Sequence, residues 1–136
     1  MTMPVVASTR LTVLVVDDEP GMRALVKRCL EAEFEIVEAA NAADALALED
    51  SLRRLGLLIT DEMMPEMEGH ELARRFRIND PDLKVLYLTG YADQLFKEKI
   101  TLWEDEAFLD KPCSVKGLLQ AVSLLFFNTL DLPKSN

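Results

Sequence analysis

The chain has 136 residues, of which 49% are hydrophobic and 29% are charged, and its formal net charge is -9. This length and composition are typical of one folded domain with a single core, and they exclude an intrinsically disordered chain. Because an excess of acidic residues repels phosphate groups, direct binding to nucleic acid or to anionic membranes is not expected.

No part of the sequence has the pattern of a membrane span or a secretion signal. The longest uncharged stretch, residues 117–130, is shorter than the roughly 18 to 20 apolar residues that a spanning helix needs. Residues 1–10 lack an apolar signal core, so we expect a cytoplasmic protein. Two cysteines and one histidine are too few for a disulfide framework or a four-ligand zinc site.

The first half of the chain contains two apolar runs, each followed by a helical pattern. Residues 11–16 (LTVLVV) are short and β-branched, which predicts a strand buried on both faces. A helix with one apolar face follows it. Residues 34–38 predict a second strand. Asn41 then caps an alanine-rich helix that is predicted to run to about Leu52 and to be closed by Gly56.

The second half continues the alternation of strand and helix. Three further strands are predicted, at residues 57–60, 83–89 and 107–110. The helices that follow them contain Phe76, Phe96 and Leu118 respectively. Such alternation with short connections predicts right-handed crossovers. The predicted fold is therefore α/β, with a five-stranded parallel sheet doubly wound by five helices.

Polar side chains follow four of the five predicted strands. Asp17 and Asp18 end the first strand, Asp61 the third and Thr89 the fourth, and Lys111 follows the fifth. Because the carboxyl ends of parallel strands form one edge of the sheet, we expect these side chains to lie together. Clustered carboxylates repel each other unless a cation neutralises them, and Mg²⁺ prefers oxygen ligands. The pattern predicts phosphoryl transfer to a carboxylate, with Lys111 and Thr89 stabilising the phosphoryl oxygens.

Each of these residues alone also has a structural explanation. Asp18 could cap the first helix, Thr89 could belong to a turn, and Lys111 could be a surface charge. Five such residues at one edge, each after an apolar run, are not explained by capping alone.

Four segments together resemble the receiver domain of two-component response regulators. They are VLVVDDEP at residues 13–20, LLITDEMMPEMEG at 57–69, VLYLTGYAD at 85–93 and FLDKP at 108–112. The resemblance extends over residues 11–127, so residues 1–10 and 128–136 are expected to be terminal tails. It implies the flavodoxin-like strand order 2-1-3-4-5, for which a member of this family is a standard example.

The resemblance also implies a role for individual residues. Asp61 matches the residue that accepts a phosphoryl group from a sensor histidine kinase or a histidine phosphotransfer protein. The implied Mg²⁺ ligands are Asp17, Asp18, Asp61 and the backbone carbonyl of Met63. Thr89, Lys111 and Phe108 match the switch hydroxyl, the family's lysine and the switch aromatic. In this family the bond that corresponds to Lys111–Pro112 is usually cis.

A receiver of this kind acts as a regulatory switch rather than as an enzyme, although it assists its own phosphotransfer and autodephosphorylation. Phosphorylation is expected to change a surface made by the predicted fourth helix, fifth strand and last helix. That surface would bind a downstream effector protein or a second copy in a homodimer.

Two other functions remain open on the residues. One is a receiver-like interaction module that is never phosphorylated. The other is an aspartyl-phosphate phosphohydrolase of the haloacid-dehalogenase type. In those enzymes the nucleophile ends the first strand and a second aspartate follows two residues later, whereas here Asp17 is followed by Asp18 and Glu19.

Two weaker features concern the loop after Asp61 and the last helix. Three acids of the loop, Glu62, Glu66 and Glu68, are expected to be solvated. His70 is expected to lie on the surface where the third helix begins. Ser114 is predicted to cap the last helix. The residues expected on the inward face of that helix are Val115, Leu118, Leu119, Val122 and Phe126. Leu124 and Phe127 should point away, either covered by neighbours or forming a docking patch.

Overall fold

The computed structural model describes residues 10–90, 105–111 and 113–127. Its parallel strands are β1 (Thr12–Val16), β2 (Glu35–Ala39), β3 (Leu55–Asp61), β4 (Lys84–Thr89) and β5 (Glu106–Asp110). Its α-helices are α1 (Pro20–Leu30), α2 (Ala42–Ala47), α3 (Gly69–Asn79) and α4 (Val115–Phe127). A 3₁₀ turn, Glu49–Ser51, follows α2. The predicted helix around Phe96, the two tails and the Lys111–Pro112 bond lie outside the described residues.

The five strands form one parallel sheet in the order β2-β1-β3-β4-β5. This confirms the predicted α/β fold and its strand order. The central strands are apolar at nearly every position because helices cover both faces of the sheet. In β1 all five residues are buried.

The sheet separates two apolar cores. The first core lies under α1 and α4 and takes alternate strand residues such as Val15, Ile59 and Leu88. The second core lies under α2 and α3 and takes the intervening residues, such as Leu58 and Tyr87. The division follows from strand geometry, since successive side chains point to opposite faces.

The end of α2 and the start of β3 differ from the prediction. Asn41 caps α2 as predicted, because its Oδ1 accepts a hydrogen bond from the backbone N of Asp44 at 2.8 Å. Gly56 does not close this helix, however, and lies inside β3. A Cβ at Gly56 would lie 2.9 Å from Cδ1 of Leu11, so this position of β3 packs closely against the Leu11 side chain.

The inward face of α4 also differs from the prediction. The helix buries Leu118, Val122 and Leu125, whereas Val115 and Leu119 are 49% and 42% exposed. The prediction for these two was wrong because Val115 lies in the first turn and Leu119 lies about 100° around the helix from Leu118. The predicted cap is present, since Ser114 Oγ accepts from Gly117 N at 2.9 Å.

The last residue of α4 is exposed to solvent. Phe127 is 70% exposed, as predicted. Cys29 and Cys113 are free thiols, both half-buried. Within the described residues, none of the helices has the length and apolar character needed to cross a membrane.

Candidate functional site

The carboxyl ends of the strands bring three of the predicted site residues into contact. Asp17 follows β1, Asp61 ends β3 and Lys111 follows β5. The Lys111 Nζ atom lies 2.9 Å from Asp17 Oδ2 and 3.2 Å from Asp61 Oδ2. Glu19 Oε1 also lies 2.9 Å from the same ammonium. One cation therefore contacts three carboxylates that belong to two different strand ends.

Asp17 is the most enclosed of these carboxylates. Its side chain is fully buried, and its Oδ1 accepts a hydrogen bond from Glu19 N at 2.9 Å. Its Oδ2 has the ion pair with Lys111, but among the described residues no group reaches it in hydrogen-bond geometry. Burial raises the pKa of Asp17, and the Lys111 ammonium and the Glu19 amide oppose that rise. Asp17 Oδ2 thus retains lone pairs for a further cation.

Lys111 remains an ammonium in this acidic surrounding. Burial alone would lower the pKa of its amine, but the ion pair with Asp17, the hydrogen bond to Glu19 and the charge of Asp61 outweigh burial and raise it. The backbone N of Lys111 also donates to the carbonyl of Thr89 at 3.0 Å. The end of β5 is therefore joined to the end of β4 at the site.

Asp61 is held from two sides and is partly open to solvent. Its Oδ1 accepts from Met63 N at 3.1 Å, and its Oδ2 contacts Lys111. Its side chain is 16% exposed, whereas that of Asp17 is 0% exposed. Of the two aspartates that contact Lys111, Asp61 is the one that a molecule in solution can reach.

The donor atoms fit a hard divalent cation. Carboxylate oxygens of Asp17, Asp18 and Glu19 lie within 4.8 Å of one another. Oxygen ligands suit Mg²⁺, and the buried Oδ2 of Asp17 accepts no hydrogen bond from the described residues. Asp61 is not part of this group, and Lys111 contacts both Asp61 and Asp17 instead. The predicted ligands do not include Glu19. Its position in the sequence directly after Asp17 and Asp18 could have indicated that its carboxylate lies beside theirs.

Asp18 does not serve as the cap of α1. The residue at the cap position is Glu19, and it makes no side-chain capping bond. Asp18 is exposed and lines a surface cavity of about 730 Å³ together with Lys111, Met22 and Leu25. The acidic edge of the sheet is therefore bordered by an open, partly apolar depression formed by α1.

Thr89 and Phe108 lie on the α2–α3 side of the sheet. Thr89 is fully buried at the end of β4. The Phe108 ring stacks on the Tyr87 ring with centroids 4.9 Å apart and an interplanar angle of 23°. Tyr87 Oη in turn donates to Glu106 Oε2 at 3.0 Å. The sequence did not indicate a particular role for Tyr87, because a tyrosine inside an apolar run is predicted to be an ordinary core residue.

The acid that follows Asp61 is not solvated. Glu62 is 2% exposed, so the prediction for it was wrong, whereas Glu66 and Glu68 are exposed as predicted. Glu62 Oε1 accepts from His70 N at 3.0 Å, and its Oε2 lies 2.8 Å from His70 Nδ1. His70 begins α3 and is exposed, as predicted, but its ring is bonded to a buried carboxylate.

Comparison with known proteins agrees with this geometry. The family model described as the response regulator receiver domain matches residues 13–123. The chain is 34% identical over 112 residues to the response regulator receiver protein CpdR of Brucella abortus, covering 81% of this chain and 92% of CpdR. It is also 34% identical over 113 residues to the sensor kinase CckA of the same organism, covering 82% of this chain but only 12% of CckA.

Solved structures have the same fold. The response regulator protein TrrA from Thermotoga maritima, crystallised in complex with Mg²⁺-BeF, superposes with a TM-score of 0.69 at 33% identity. The match covers 85% of this chain and 98% of TrrA. The strand order, the acidic edge and the family match lead to one conclusion: the chain belongs to the response regulator receiver domain family.

Proposed function

We propose that residues 11–127 form a Mg²⁺-dependent phosphoacceptor switch in which Asp61 takes a phosphoryl group from a phosphohistidine. The donor would be a sensor histidine kinase or a histidine phosphotransfer protein. The observation that carries the proposal is the contact at 3.2 Å between Lys111 Nζ and the partly exposed Asp61, beside the fully buried Asp17. This arrangement pairs an accessible nucleophile with a fixed positive charge.

Phosphoryl transfer to Asp61 exchanges one bond to phosphorus for another. An Asp61 carboxylate oxygen bonds to phosphorus, the phosphorus–nitrogen bond breaks, and the imidazole nitrogen leaves with the electron pair. Lys111 holds one phosphoryl oxygen through its ammonium. Mg²⁺, when bound, would supply positive charge that stabilises the transferring phosphoryl group. The residues that would hold the ion are Asp17, Asp18, Asp61 and the backbone carbonyl of Met63, with Glu19 as a further oxygen donor.

The switch would follow from the new charge on Asp61. The Thr89 hydroxyl would move to bind the phosphoryl group, and Phe108 would turn inward into the space that Thr89 leaves. The resulting surface, made by the predicted helix around Phe96 together with β5 and α4, would bind a downstream effector or a second copy of the chain. In this role the protein is a regulatory switch whose own site also hydrolyses the acyl phosphate.

Intact-mass measurement tests the proposal. The full chain is incubated with acetyl phosphate and Mg²⁺, and we expect a single phosphate adduct that is lost in Asp61→Asn and with a chelator. Asp82→Asn is the matched control, because Asp82 is exposed and lies near the opposite end of the sheet, just before β4. An adduct that persists in Asp61→Asn would contradict the proposal. Absence of any adduct, with a cognate kinase included, would leave a phosphorylation-independent interaction module.

A further inference from the structure

The loop between β3 and α3 is closed at its base by Glu62. The backbone N of Glu62 donates to Leu88 O at 3.2 Å, and its carbonyl accepts from Gly69 N at 2.8 Å. Its carboxylate takes the two contacts with His70 described above, to the backbone N and to Nδ1. We call the pair of side chains the Glu62–His70 clasp. It joins the last strand residues before the loop to the first helical residues after it.

The chemistry of the clasp is specific. A carboxylate oxygen only accepts hydrogen bonds, so His70 Nδ1 carries the hydrogen in the 2.8 Å contact. Glu62 is buried, and a buried carboxylate is costly unless its oxygens are bonded. The His70 side chain is 46% exposed and also lies 3.6 Å from Glu68 through Nε2. The ring therefore links a buried acid on one side to the solvated loop on the other.

The clasp lies directly behind Asp61. A Cβ on Gly69 would lie 2.5 Å from the Asp61 carbonyl oxygen, which means that the first turn of α3 packs against the backbone of Asp61. The loop that the clasp closes carries Met63, whose backbone N donates to Asp61 Oδ1 at 3.1 Å. Movement of the α3 start would displace both the Asp61 carboxylate and the Met63 backbone.

We propose that His70 is a positioning residue for the metal and phosphoryl site. Through Glu62 it holds the β3–α3 loop, and with it Asp61 and the Met63 backbone, the groups of this loop that would bind Mg²⁺. The inference rests on the proposed function, which it deepens. Groups that orient metal ligands typically change metal affinity about 10-fold or more when removed. We therefore expect His70→Ala to weaken Mg²⁺ binding about 10-fold and to slow Asp61 phosphorylation at a fixed Mg²⁺ concentration.

Three variants of the full chain distinguish positioning from general stability. His70→Ala removes the ring but keeps the backbone bonds of the loop, so the domain should remain folded. His70→Asn keeps an N–H donor at nearly the position of Nδ1 and should restore Mg²⁺ affinity to within about 2-fold of wild type. Glu68→Ala is the matched control, because Glu68 is exposed and contacts only the outer nitrogen of the ring among the described side chains.

Calorimetric titration with Mg²⁺ alone gives the dissociation constant, and intact mass with acetyl phosphate gives the phosphorylation rate. Urea unfolding is followed in parallel. Weak binding in His70→Ala, with normal binding in His70→Asn and Glu68→Ala, supports the inference. Wild-type affinity in His70→Ala overturns it, and so does His70→Asn binding as weakly as His70→Ala. Absence of Asp61 phosphorylation in the wild type contradicts the proposed function, while the Mg²⁺ titration still tests the clasp.

Discussion

The ion pair between Arg77 and Glu106 joins α3 to β5 beneath the proposed switch. Arg77 Nη1 lies 2.7 Å from Glu106 Oε2, and the two side chains are 24% and 7% exposed. Two other guanidinium nitrogens of Arg77 donate to Leu83 O at 3.1 and 2.9 Å. Because Tyr87 donates to the same Glu106 oxygen, this pair also fixes the ring on which Phe108 stacks.

Arg77→Met keeps the length and apolar stem of the side chain and removes its charge. Glu106 then remains buried with the Tyr87 hydroxyl as the only hydrogen-bond donor to its carboxylate among the described groups. Removing one member of a buried ion pair costs about 3–5 kcal/mol. The partial exposure of Arg77 lets water replace some of its bonds, so we expect a loss of about 3 kcal/mol. That is a large part of the roughly 5–15 kcal/mol typical of a domain.

Urea unfolding followed by circular dichroism measures this loss. With a slope of about 1–3 kcal/mol per molar urea, the midpoint should fall by at least about 1 M while the slope stays constant. Arg74→Met is the matched control on the same helix. Its ion pair with Glu71 is equally short, 2.7 Å, but the Arg74 side chain is 67% exposed, so solvent screens the pair and the urea midpoint should change far less than in Arg77→Met. Equal losses in the two variants would refute the reasoning.

Two further predictions concern packing and pH. Gly69→Ala places a methyl group 2.5 Å from the Asp61 carbonyl and should lower the free energy of unfolding in urea by about 2 kcal/mol or more. The control Gly21→Ala places its methyl group in open space on α1 and should be neutral or stabilising. Equal stabilities of the two variants would contradict this. Burial of the Tyr87 hydroxyl and its hydrogen bond to the Glu106 carboxylate raise the pKa of Tyr87 above its ordinary value of 10.0. The folded protein therefore keeps this proton. The unfolded chain releases it, and stability should fall above about pH 10. The variant Tyr91→Phe leaves Tyr87 as the only tyrosine of the chain. Phenolate absorbance that rises near pH 10 in this variant while it is still folded would contradict the prediction.

The strand ends and their polar residues were predictable because both depend on local patterns. An apolar run of strand length followed by an acid places Asp17 and Asp61 at one edge as soon as the sheet is parallel. The burial of Glu62 was not predictable in this way. It depends on the first turn of α3 packing over the end of β3, which is a tertiary contact made by Gly69.

The same distinction explains the errors in α4 and the omission of Tyr87. A helical pattern shows that α4 has an apolar face, but the angle at which the helix lies on the sheet decides that Leu125 and not Leu119 is buried. The partner of the Tyr87 hydroxyl, Glu106, is 19 residues away along the chain, on the next strand. Local periodicity carries no information about such a pair.

The two cores on either side of the sheet have different consequences for evolution. Thr89, Tyr87 and Phe108 all belong to the side packed by α2 and α3, whereas the core under α1 and α4 contains none of them. Under the proposed function, a substitution in the first core on α1, such as at Val26, would change stability while leaving the packing around these three side chains in place. Under the same proposal, a substitution in the second core would change stability and the packing around Thr89 and Phe108 together.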